Sequence, residues 1–90
     1  MIVISMQENE DLKLLKELAK EIAKNGKKWE IIKEIDDALD FQYDWIHFES
    51  VLACRRINTI PYLELIKKME NKDLLKLLRK YVFELINNKS

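Results

Sequence analysis

The sequence predicts an all-α fold: a small bundle of four to five short helices around one core. Three observations predict it. Gly and Pro each occur once in 90 residues, whereas β-rich folds spend many of both in turns. Apolar residues recur with a period near 3.6 in at least three segments. Hydrophobic residues make up 48% of the chain and charged residues 36%, a globular composition and not a disordered one. At this length the chain reads as one domain over residues 1–90. Residues 1–7 are expected to be a loose N-terminal segment and residues 87–90 a frayed tail.

The elements follow in order. MIVISM is mostly apolar, and a single strand there has no partner in the chain. It reads as a segment that packs over the bundle or against a second subunit. In NEDLKLLKELAKEIAKNG, Leu12, Leu15, Leu18, Ala19, Ile22 and Ala23 share one helical face. Asn9 is the expected N-cap, and Asn25-Gly26 the stop, with Gly supplying a left-handed residue. In KWEIIKEIDDALD, Trp29, Ile32, Ile35 and Leu39 share a face that Ile31 and Ala38 widen. A break is expected near Asp40–Asp44, because aspartate caps helices better than it extends them. A third helix carries Trp45, Ile46, Phe48, Val51, Leu52 and Ile57. Thr59 is the expected cap of a short helix with Pro61 in its first turn. Asn71 opens the last helix, whose wide stripe from Leu74 to Ile86 can meet two neighbours at once.

The charge balance is zero overall but uneven along the chain. Residues 30–50 hold one basic and seven acidic residues, net −6, and residues 51–90 hold nine and four, net +5. Such blocks either neutralise each other inside the molecule or face outward as complementary surfaces. One cysteine excludes an internal disulfide framework. No run approaches a membrane span or a signal peptide. A cytoplasmic protein with no membrane partner is the expectation.

The stretch DDALDFQYDWIHFE, residues 36–49, gathers four aspartates, one glutamate, four aromatics and the only histidine. Asp36, Asp40, Asp44 and His47 fall at helical spacing, and Asp44–His47 is a D-x-x-H step. A di-iron bundle needs an E-x-x-H step on two helices, and one histidine cannot supply both. Glu34 and Asp37 form an E-x-x-D step similar to that of the helical, magnesium-dependent nucleotide pyrophosphohydrolases of the MazG type. Those proteins also carry E-x-x-E on the preceding helix, where this chain offers only Glu8–Asp11 or the wrongly spaced Glu17–Glu21. The resemblance implies a Mg²⁺-dependent nucleotide hydrolase, the third-ranked function. His47 has Ser50 one turn on but no Gly-rich turn for an oxyanion hole. Cys54 sits among Val51, Leu52 and Ile57 and is expected to be buried. No catalytic residue, metal ligand or cofactor is assigned. The acids are expected to face water and the aromatics to face inward.

Two binding functions remain. The first is a non-enzymatic adaptor or regulatory protein acting through protein contacts, with a second copy as the expected partner in a symmetric homodimer. Its candidate contact residues are Ile2, Ile4, Tyr43, Trp45 and Phe48, since aromatics beside charge dominate protein interfaces. The alternative is a nucleic-acid-binding protein using residues 55–80. Its candidates are Arg55, Arg56, Lys67, Lys68, Lys72, Lys76, Arg79 and Lys80. Glu64, Glu70 and Glu84 interrupt that surface, and a pI of 6.6 is low for such a module.

Overall fold

A computed structural model describes residues 2–88, with side chains from Glu10 onward. It shows an all-α bundle: α1 (Ile2–Lys24), α2 (Lys28–Phe41), α3 (Trp45–Cys54), α4 (Leu63–Lys68) and α5 (Lys72–Asn87). A single 3₁₀ turn, Ile60–Tyr62, leads into α4. There is no β-strand among the described residues.

The expected N-cap at Asn9 is corrected. The backbone is already helical from Ile2, so Asn9 is a helix-interior residue and not a cap. No Gly or Pro interrupts residues 2–24, and a helix once nucleated propagates through residues without a breaker. The side chains of Ile2 and Ile4 lie outside the described residues.

The apolar faces converge on one core. Leu15, Leu18, Ala19 and Ile22 of α1 meet Ile31, Ile32, Ile35 and Ala38 of α2. Phe48 and Leu52 of α3, Leu65 and Ile66 of α4, and Leu75, Leu78 and Val82 of α5 complete it. Each large side chain removed from water there contributes roughly 1.5–3 kcal/mol. The stripe on α5 does meet two neighbours, α1 and α2. It runs parallel to α1, with Lys16 above the Tyr81 ring at 5.7 Å and Leu12 beside Leu74 and Leu77. It runs antiparallel to α2, as three rungs show. Trp29 meets Phe83 edge-on at 6.0 Å, Arg79 meets Asp36, and Lys72 donates to the Tyr43 carbonyl.

The breaks use different chemistry from that expected of Gly26. The one glycine does not take a positive φ; among the described residues, Gln42 (φ 59°) and Arg56 (φ 68°) do. Both sit where a Schellman motif needs a left-handed residue. After α2 the Tyr43 amide reaches back to the Ala38 carbonyl at 3.1 Å. After α3 the Ile57 amide reaches Leu52 and the Arg56 amide reaches Ala53, both at 3.0 Å. Ile57 and Leu52 are both buried, which supplies the apolar contact of that motif. Asn25 ends α1 with its side chain, accepting from the Lys27 amide at 2.7 Å and donating to the Arg55 carbonyl at 2.8 Å.

The expected break at Asp40–Asp44 is present, and Asp44 caps α3 by accepting the His47 amide at 3.0 Å. Asn71 caps α5 through the Asp73 amide at 3.0 Å. Thr59 does not cap the following helix. Its hydroxyl, 8% exposed, donates instead to Glu49 at 2.8 Å, because a buried hydroxyl without a partner is costly.

Candidate interaction surfaces

The acidic stretch becomes the corner between α2 and α3. Asp36 takes Arg79 in a two-point contact, 2.5 Å to Nε and 3.3 Å to Nη2. Asp37 meets Lys33 one turn back at 3.3 Å, and Asp44 is spent on its cap. Glu34 lies 3.6 Å from Arg55 and 3.8 Å from His47 Nε2. Glu34 and Asp37 therefore face cations of the chain itself. No group of three or more His, Cys, Asp or Glu is gathered at metal-binding distance among the described residues.

The aromatics divide. Phe48 is 2% exposed and fills the core, so it is corrected from a contact candidate to a packing residue. Trp45 is half-buried, packed on the core, with its amide donating to Glu70 at 2.9 Å and Lys67 over its ring at 5.7 Å. Phe41 turns outward, contrary to expectation, and is 65% exposed, and Tyr43, a contact candidate, turns outward beside it. The left-handed Gln42 between them reverses the chain, so neither flanking ring falls on the inner face of α2 or α3. Phe41 and Tyr43 rings lie 5.7 Å apart, and Tyr43 and His47 4.3 Å. Ile46, missed as a contact residue because of its place on an apolar run, is 54% exposed. Trp29 also leaves the core, 52% exposed against Phe83.

The basic residues of the C-terminal half are largely engaged within the chain. Arg55 bridges to Glu30 and Glu34, with its Nε buried and without a hydrogen-bond partner. Lys67 meets Glu64 at 3.5 Å and Lys68 meets Asp11 at 3.1 Å. Lys72 is on the Tyr43 carbonyl and Arg79 on Asp36. Arg56, after α3, and Lys76 and Lys80, one turn apart on α5, have no acidic partner within ion-pair distance among the described residues. The block at −6 and the block at +5 thus neutralise each other in part across the α2–α5 and α2–α3 seams. Cys54, at the last turn of α3, is exposed and not buried; the inner face of that helix is Phe48, Val51 and Leu52.

The chain matches no family model, no curated protein and no solved structure.

A second surface lies on the seam of α1 and α5. Two adjoining grooves of about 300 and 400 Å³ share Lys20 and Leu85. Their walls carry Lys16, Lys20, Lys24 and Lys28, and their floor is Tyr81 and Leu85. Sequence reasoning passed over this row while searching residues 55–80. Its signal was the spacing of Lys13, Lys16, Lys20 and Lys24, one turn apart on the helix opposite the acidic stretch.

Tyr62 precedes α4, and its hydroxyl is pushed above the usual phenol range. Burial is the main cause, and the carboxylates of Glu21 and Glu17 on α1 add to it.

Proposed function

We propose that this protein is a non-enzymatic helical contact protein, an adaptor or regulator that works by binding protein surfaces, including its own. The observation that supports this most is the α2–α3 corner, where Phe41, Tyr43 and Ile46 stand in solvent. A chain this small has little apolar material to spare. Leaving large side chains adjacent on the surface is costly unless a partner covers them. Their neighbours Asp40 and Asp44 add charge that orients a partner. A left-handed residue other than glycine holds the corner, and such strain collects at functional positions.

The reading is tested by replacing Phe41 with a photoreactive benzoylphenylalanine in the host cell and irradiating. Covalent adducts with a protein, either another copy or a different chain, are expected. Irradiation that yields no protein adduct, with the variant folded and abundant, refutes the reading.

A further inference from the structure

We infer that the α2–α3 corner of one copy docks into the α1/α5 groove of another, so that the protein self-associates head to tail. This rests on the proposal that the corner is a protein-contact surface, and it names the partner.

The two surfaces are complementary in sign. The groove carries Lys16, Lys20, Lys24 and Lys28 with no acidic partner within ion-pair distance among the described residues. The corner carries Asp40, which has no basic partner, and Asp37, whose partner is the exposed Lys33. They are also complementary in apolar character. Phe41 projects from the corner, and the groove floor offers Leu85, 38% exposed, beside the Tyr81 ring. Lysine stems add apolar walls while their ammonium groups remain at the rim.

The chain cannot satisfy both surfaces by itself. The corner is tied to the Lys72 end of α5 by the Tyr43 carbonyl, whereas the groove lies toward the Asn88 end. Thirteen residues separate Lys72 from Leu85, about 20 Å along a helix. The corner also flanks α5 on its α2 side and the groove on its α1 side. The contact is therefore between molecules, and a heterologous contact of this kind builds rings or open chains.

Other occupants fit less well. A phosphate backbone would leave the apolar floor of Tyr81 and Leu85 unused. A membrane surface is flat and cannot enter a groove between two helices.

The test uses charge exchange. Light scattering of the unaltered protein should give a mass that rises with concentration up to the submillimolar range and falls as salt is added. Lys20→Glu with Lys24→Glu, and separately Asp37→Lys with Asp40→Lys, should each weaken association at least about tenfold. All four sites are on the surface, so circular dichroism should show both variants folded. Mixed together, the two variants should associate again, because each reversed surface then meets its opposite. Adducts from the photoreactive residue at position 41 should map to α1 or α5 of a second copy. A monomer at all concentrations, undiminished association of either variant, or a mixture that stays monomeric overturns the inference. Adducts confined to a different protein overturn it too, while leaving the contact function in place.

Discussion

Replacing Phe48 with alanine should remove a large part of the stability of this bundle. Phe48 is 2% exposed and belongs to the cluster that joins α2, α3, α4 and α5. Phe→Ala in a packed core costs roughly 3–5 kcal/mol, the transfer of the ring plus the cavity left behind. Native stability at this length is roughly 5–13 kcal/mol. The variant should therefore lose between a quarter and nearly all of it. Each kcal/mol moves the midpoint of a domain this size by about 4–8 °C, so Tm should fall by more than about 12 °C. Urea titration followed by far-ultraviolet circular dichroism measures this directly, with the slope m unchanged if the denatured state is unaltered. Phe41→Ala in dilute protein is the control. That ring is 65% exposed, and surface changes stay within about 0.5 kcal/mol. A Phe48→Ala loss below about 1.5 kcal/mol, or a Phe41→Ala loss equal to it, would show that the two rings have been assigned to the wrong sides of the corner.

Arg56→Gly should raise stability by up to about 1.6 kcal/mol in the same titration. It relieves a left-handed conformation costing about 1–2 kcal/mol against about 0.4–1 kcal/mol of added denatured-state entropy; a loss would contradict it. Asp44→Ala and Asn71→Ala should each cost about 1 kcal/mol through lost caps, and neutral results would dissolve the capping assignments. Asp36→Asn should cost less than about 1 kcal/mol, because its pair with Arg79 is only half-buried. Asp40→Asn should be neutral or slightly stabilising. Tyr62 should titrate above the usual phenol value in a ¹³C-tyrosine NMR titration, and Glu21→Gln should bring it down. Its raised pKa means that the folded state holds the proton more tightly. That stabilisation is whole below the unfolded value near 10 and is lost as pH climbs through the folded value. A Tyr62 midpoint at or below the free phenol value near 10 would refute this.

The helices were legible because their apolar residues repeat with the helical period and their breaks carry recognisable caps. Asp44 and Asn71 are short polar side chains before apolar runs, and both accept the amides expected of them. The left-handed turns were not legible. Gln42 and Arg56 are unusual choices for that conformation, and tertiary packing of Leu52 against Ile57 fixes one of them. The inward or outward turn of Phe41 and Phe48 also escaped the sequence. A fourteen-residue stretch broken by one left-handed residue changes its helical phase, so a single face cannot be drawn through it. The parallel pairing of α1 with α5 joins segments fifty residues apart, and no local pattern encodes it. That pairing creates the lysine-walled groove, so neither segment alone carries its full signature.

The closeness of α1 and α5 also bears on how the molecule is made. These two helices form the most extensive pairing in the bundle, yet α5 is translated after the other four helices. Between Lys24 and Lys72 a ribosome adding about 5–20 residues each second spends roughly 2–10 s. Throughout that interval Leu15, Leu18 and Ile22 have no α5 to lie against. The nascent chain consequently presents a sticky helix before it can close, and any holding factor acting on this protein would find its target there. Release of α5 acts as the clasp, so a stop codon just before Lys72 would be as damaging as one much earlier.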